Sequence, residues 1–262
     1  AEKTQFDTRT RAYISPVRIV WMQNEELISG SENLLLQGNG QATTANTPKC
    51  VLTAKEGKRS SILLDFGREI HGGLQFVTCI RASKDPVKVR VRLGESVGEA
   101  MCGITEENGA TNDHAMRDYT IALPWLGVCE VGNSGFRFVR IDLLEDDIEL
   151  PLKELRASLV YRDVPYLGSF HSSDPRVDSI WLTGAYTLHL NLQEFLVEAP
   201  KRDRLVWLGD LHPEVRTALA VFGDNEALSR GLDFARDETP LPGWMNGMCS
   251  YSLWWVLIHR DY

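Results

Sequence analysis

The chain has 262 residues, 43% hydrophobic and 24% charged, with a formal net charge of −8, a globular composition with enough apolar mass for a core in one large domain or two ordinary ones. Its acidic balance argues against nucleic acid or an anionic membrane as the main partner. No apolar run approaches the roughly 20 residues that cross a bilayer, so the chain reads as soluble, with no membrane span.

The N-terminal AEKTQFDTRTRAY has no signal-peptide core, which fits a cytoplasmic chain or a secreted or periplasmic one after processing. Cys50, Cys79, Cys102, Cys129 and Cys249 are odd in number and scattered, without a CxxC pair. Neither a disulfide framework nor a zinc site is expected, and most of the thiols read as small buried hydrophobes. The histidines lack ligand spacing, so no metal site is expected.

To about Tyr161 the apolar period is two. RIVWM (18–22), SILLDF (61–66), LQFVTCI (74–80), RDYTIAL (117–123), FRFVRIDL (136–143) and LKELRASLVY (152–161) read as strands. The clearest is PVKVRVRLGES, where Val87, Val89, Val91 and Leu93 alternate with Lys88, Arg90 and Arg92, the pattern of a half-buried strand. GREIHGG, SKDP, ENGATND and VGNSG punctuate them as turns, with His71 in a loop bend. Many short strands without helical pattern between them predict an antiparallel β-sandwich of jelly-roll type.

After RDVPYLGSFHSSDP the period becomes helical, placing a boundary within 164–173 and two domains, 1–165 and 166–262. Ser173 or Asp174 caps a helix with Pro175 in its first turn. Val177, Ile180, Trp181, Gly184, Ala185, Leu188, Leu192 and Phe195 form one apolar stripe along it. HPEVRTALAVF reads as a second helix started by Pro213, DNEALSRGLDFAR as a third capped by Asp224, and CSYSLWWVLIHRDY as a fourth. Four amphipathic helices beside a sandwich leave apolar faces open, which points to the front part of a longer protein.

The segment EAPKRDRLVWLGD, Glu198–Asp210, mixes charge with Leu205, Val206, Trp207 and Leu208. Pro200 forbids helix and holds Ala199 extended, so the segment is a fixed loop. Arg202 offers a planar donor fork, Asp203 a carboxylate, Trp207 an apolar face for a sugar's C–H surface, and Asp210 a hydroxyl partner or a helix cap. Such a loop suits a neutral polyol. Residue chemistry leaves a second reading open, in which Arg202 and Asp203 pair with neighbours and Trp207 fills the core. His212 and Glu214, beside Asp210, stand as supports of the same pocket. Trp244 and Asn246, in LPGWMNG, suit a sugar subsite by stacking and amide donation. TNDHAMRD sets Asn112, Asp113 and His114 together, as a turn motif before a strand or a weak metal site.

EAPKRDRLVWLGD resembles the D-C-P-x-R-E-R-x-G-W-x-G-D signature of bacterial α-L-rhamnosidases, glycoside hydrolase family 78, matching at Pro200, Arg202, Arg204, Trp207, Gly209 and Asp210. LDFGREIHGGLQF, RLGESVGEA, GATNDHAMRDYTIALPW and GFRFVRIDLL resemble the β-sandwich preceding that family's catalytic domain. YRDVPYLGSFHSSDPRVDSIWLTGAYTL resembles the start of its helical barrel. The resemblance implies a multidomain fold, β then α: a sandwich followed by the first helices of an (α/α)₆ barrel. It also implies an inverting glycosidase acting on terminal α-L-rhamnosides, with a carbohydrate as partner and no cofactor, since the acid and base carry the proton transfers themselves.

On that reading the family's acid glutamate aligns with Asp203 as general acid. Glu198, Arg202, Trp207, Asp210 and Trp244 bind substrate; His212, Glu214 and Asn246 support them. The chain departs from the signature at Asp203 for Glu, Glu198 and Ala199 for Asp and Cys, and Val206 for Gly. The water-activating base is expected beyond Tyr262. The alternative from another class is a carbohydrate-binding or catalytically lapsed relative, this chain being an incomplete fragment.

Overall fold

The structure, a computed structural model, describes residues 6–104, 111–113 and 115–262; His114 of the Asn112–His114 motif lies outside them. Two compact units are present: Ala12–Leu159, and Val160–Tyr262 with the N-terminal segment up to Arg11.

The first unit is antiparallel sheet. Strands run β1 Thr10–Ile14, β2 Arg18–Gln23, β3 Ile28–Ser29, β4 Cys50–Lys55, β5 Lys58–Arg59, β6 Ser61–Thr78, β7 Val87–Gly94, β8 Asp118–Leu123, β9 Gly127–Leu143 and β10 Ile148–Tyr161. The hydrogen-bonded path is β3-β4-β10-β6-β9-β7-β8, with β2 on β6 and β5 on β4.

Two glycine runs behave differently from the sequence expectation. SILLDF and the LQFVT of LQFVTCI belong to one continuous strand, β6, and GREIHGG runs through it rather than turning. The register against β9 shifts between Asp65 and Ile70 and again between Gly72 and Leu74. Bulges absorb the glycines while the ladder continues, so His71 is a buried strand residue and not a loop bend. VGNSG likewise lies inside β9. A short helix, α1 Val97–Met101, stands where no helix was expected; Ser96 Oγ caps it by accepting from Glu99 N at 3.1 Å.

In β7 the four apolar residues are buried as their alternation predicts. Arg92, on the opposite face, is buried too. It pairs with Asp142 at 2.9 Å and donates to Met101 O at 2.9 Å, the condition under which a buried charge persists. Asn112 Oδ1 accepts from Arg117 N at 3.0 Å and from Asp118 N at 3.3 Å, tying it to the start of β8. Among the described residues no group of three or more His, Cys, Asp or Glu could hold a metal ion.

The second unit carries α2 Pro175–Asn191, α3 Leu208–Val221, α4 Glu226–Asp237 and α5 Cys249–Asp261. Asp174 caps α2, accepting from Arg176 N at 3.0 Å, with Pro175 next. Only part of the expected stripe is used: Ala185, Leu188 and Leu192 are buried, whereas Ile180 is 70% exposed. Helix α3 starts at Leu208, not Pro213, which falls inside it. Asn225, not Asp224, caps α4 by accepting from Ala227 N at 2.9 Å. Leu211, Val215 and Ala218 of α3 bury against Leu188, Leu228 and Ile258 in this unit's core. No described helix is long and apolar enough to cross a membrane.

Candidate functional site

The connections after α2 and after α4 are the long ones, and they meet at one end of the helices. Asn246, in the second connection, bonds both sides of Trp207 in the first. Its Oδ1 accepts from Leu208 N at 3.2 Å and its Nδ2 donates to Val206 O at 3.3 Å. Leu208 N is an orphan donor at the start of α3, and a distant side chain satisfies it where no local one caps the helix.

The Glu198–Leu205 turn closes on itself. Glu198 N donates to Leu205 O at 3.3 Å. In return the Glu198 carboxylate accepts from Arg204 N at 2.9 Å and from Leu205 N at 2.7 Å. Between these ties Asp203 and Arg204 sit at φ 36° and 55°, left-handed backbone that non-glycine residues rarely adopt. Pinned this way, the turn faces a cavity of ≈350 Å³ lined by Glu198, Arg202, Asp203, Trp207, Asp210 and Tyr251, with Ala199 and Met248. Trp207 Nε1 donates to Asp203 Oδ2 at 3.4 Å. Arg202 Nε lies 3.7 Å from Asp203 Oδ1 on a side chain 73% exposed, too solvated for a strong ion pair.

Behind the cavity lies Glu214. Its Oε1 accepts from Asn191 Nδ2 at 3.4 Å, while its buried Oε2 and the buried Asn191 Oδ1 have no partner among the described residues. The same Asn191 Nδ2 reaches Glu198 O at 3.2 Å. Burial, and then the charges of Asp210 and Glu198, push the Glu214 pKa up to about 8, against the lowering effect of the Asn191 bond. Burial also raises Glu198, opposed by its backbone N–H bonds and reinforced by the charge of Asp203.

Other sequence-picked residues go elsewhere. His212 packs at a tilt against Trp254 with ring centroids 4.7 Å apart and puts Nε2 3.2 Å from Asp261 Oδ2, so it faces α5 and not the cavity. Trp244 lines a second cavity of ≈410 Å³ with Phe234, Glu238 and Thr239.

Residues 165–255 match the family described as bacterial alpha-L-rhamnosidase 6 hairpin glycosidase domain. A rhamnosidase from Klebsiella oxytoca with rhamnose bound superposes with TM-score 0.72 at 17% identity, over 98% of this chain and 52% of that one. The family 78 rhamnosidase of Bacillus sp. GL1 gives TM-score 0.66 at 20% identity, over 88% and 23%. The Streptomyces avermitilis α-L-rhamnosidase complexed with L-rhamnose gives 0.52 at 19% identity, over 69% and 17%. The chain resembles the α-L-rhamnosidases. No curated protein sequence matches it. The chain spans between 17% and 52% of the length of these three structures, and at such identities the likeness is one of fold.

Around the rhamnosidase-like loop, residue chemistry missed Tyr251, Met248 and Asn191. Tyr251 had one legible signal, Gly209. A Cβ at that position would stand 2.6 Å from the Tyr251 ring, so the ring that lines the cavity needs a glycine beneath it. Tyr251 in turn meets Trp207 edge-on, with centroids 6.0 Å apart. Asn191 carries no such mark, since nothing in α2 distinguishes it from an ordinary helix-end amide.

Proposed function

We propose that the helical unit carries the sugar-binding and acid-bearing part of a glycosidase site for terminal α-L-rhamnosides. In this reading the β unit is a jelly-roll sandwich and α2–α5 are the first helices of an (α/α)₆ barrel, with the exposed apolar residues of α2 and α5 as seams between hairpins. One observation carries the reading: Glu198, Arg202, Asp203, Trp207 and Asp210, all from the loop that resembles the rhamnosidase signature, line a single cavity.

Inversion needs an acid to protonate the departing oxygen and a second carboxylate, roughly 6.5–9.5 Å away, to activate water. Asp203 is the acid in this proposal. Arg202 and Asp210 grip hydroxyls, Trp207 supplies the apolar wall, and Glu198 holds the turn in shape while facing the sugar. The water-activating base is not assigned to any of these residues.

A binding-only reading has its own support, because Asp203 is shorter than the family's glutamate and already accepts a bond from Trp207. Turnover of an aryl α-L-rhamnoside, beside calorimetric binding of L-rhamnose, separates the two. Hydrolysis predicts that Asp203→Asn lowers kcat by several orders of magnitude while rhamnose affinity survives. Unchanged turnover in that variant removes Asp203 from the role. Rhamnose binding without any bond cleavage, in a longer chain that carries the water-activating base as well as in this one, decides for a carbohydrate-binding relative.

A further inference from the structure

In the β unit the loop around Asn39 lies flush on β10, and glycines on either side of Asn39 allow it. A Cβ on Gly38 would strike the Glu154 carboxylate, and one on Gly40, at φ 68°, the Arg156 guanidinium. Asn39 itself is exposed. Its Oδ1 accepts from Gln41 N at 3.1 Å and from Lys153 Nζ at 3.0 Å. The next amide, Gly40 N, donates to Glu154 Oε2 at 2.7 Å. Glu154 is buried, with Arg156 Nη1 3.5 Å from its Oε1. Lys153 and Glu154 are consecutive, and in a regular strand they would leave on opposite faces. The register against β6 shifts between Leu152 and Glu154, and such an irregularity re-aims side chains. Both then reach one dipeptide.

These contacts suit an intramolecular acyl transfer. Asn39 Cγ is the electrophile, and its oxygen holds two donors, one cationic, where negative charge gathers on attack. Gly40 N is the nucleophile, tethered one residue away and hydrogen-bonded to a carboxylate that can take its proton. A second Asn-Gly pair, Asn246–Gly247, supplies the contrast. There Oδ1 accepts from the neutral Leu208 N at 3.2 Å, Nδ2 is anchored to Val206 O at 3.3 Å, and Gly247 N donates to the main-chain Trp244 O at 2.8 Å. A third pair, Asn108–Gly109, lies outside the described residues.

We infer that Asn39–Gly40 is a self-modifying site, at which the chain converts its own side-chain amide to a carboxylate. Gly40 N attacks Asn39 Cγ and passes its proton to Glu154. A five-membered succinimide closes, the Cγ–Nδ2 bond breaks, and the proton reaches the departing nitrogen through solvent, so that ammonia leaves. Asn39 and Lys153 line an open hollow of ≈500 Å³, from which water opens the ring at either carbonyl. One product is aspartate, paired with Lys153. The other is isoaspartate, whose added backbone methylene draws Gly40 N away from Glu154. Either adds one negative charge to the β unit.

The test is peptide mass spectrometry of the full chain, folded and in denaturant, over an incubation at neutral pH. Folded, Asn39 is expected to convert to the acid at least roughly tenfold faster than Asn246, through an intermediate that has lost ammonia. In denaturant the two sites convert alike. Glu154→Gln slows Asn39 by removing the proton acceptor. Lys153→Met slows it by removing the cationic donor, and it leaves the buried Glu154–Arg156 pair alone. Equal folded rates at Asn39 and Asn246, or an Asn39 rate unchanged in Lys153→Met, overturns the inference. So does a folded rate at Asn39 below its rate in denaturant, which would mean that the contacts protect the amide. A stable ammonia-loss product joining Lys153 to Asn39 overturns it too, since the lysine would then be the nucleophile.

Discussion

Glu214 gives the most quantitative prediction. Its pKa is pushed from the ordinary 4.5 to about 8, so between those values the folded chain keeps a proton that the unfolded chain releases. The stability linked to this group is fully present below pH 4.5 and declines by about 1.4 kcal/mol per pH unit until pH 8. By pH 7 the loss is on the order of 3 kcal/mol, a large share of a typical 5–15 kcal/mol. Glu214→Gln removes the titration and keeps the shape; its amide accepts from Asn191 Nδ2 and brings a donor beside the unpartnered Asn191 Oδ1. The assay is denaturant unfolding followed by tryptophan fluorescence, which reports on this unit through Trp181, Trp207, Trp244, Trp254 and Trp255. Variant and native chain should be close in stability at pH 4.5, with the variant ahead by on the order of 3 kcal/mol at pH 7 and on the order of 5 kcal/mol at pH 9. A gap that does not grow with pH, or a native chain more stable at pH 9, refutes the reasoning.

Gly209→Ala puts a Cβ 2.6 Å from the Tyr251 ring. It should cost about 1–3 kcal/mol and weaken rhamnose binding, and a paired Tyr251→Ala should restore part of the stability, as a double-mutant unfolding cycle would read. Asn246→Ala removes both bonds around Trp207 and the acceptor for Leu208 N. The expectation is a loss of about 1–2 kcal/mol, with faster amide exchange at Leu208; exchange equal to that of the native chain would show that the amide is not the cap.

The sequence marks the site's loop but not what holds it. Pro200, Arg202 and Trp207 declare a fixed polar turn because their constraints are local. The bulged glycines of β6 and β9 misread as turns for the same reason. Alone, Gly72-Gly73 looks like a break, and only pairing with β9 shows that the ladder resumes at Leu74. Asn246 capping α3 is a contact between residues far apart in the chain, invisible to any spacing rule. Trp244 and Asp203 both read as sugar-binding from the sequence, yet they line different cavities, as do the consecutive residues Val206 and Trp207. Arg92 belongs to the same class, since its burial is set by Asp142 on a neighbouring strand.

Ties inside the loop explain one of its departures from the rhamnosidase signature, Glu198. Two successive left-handed residues, Asp203 and Arg204, cost about 1–2 kcal/mol each. Hydrogen bonds to a charged acceptor return roughly 1.5–3 kcal/mol apiece, and Glu198 accepts two from the backbone just there. The added methylene of Glu198, where the rhamnosidase signature has aspartate, is the reach with which its carboxylate spans the turn to Arg204 N and Leu205 N. The presentation of Asp203 is then a property of Glu198 as much as of Asp203 itself. Because burial raises the Glu198 pKa, acid removes one of its acceptors sooner than it would from an ordinary glutamate, and the turn's strain is released at the residue on which the proposed proton transfer depends.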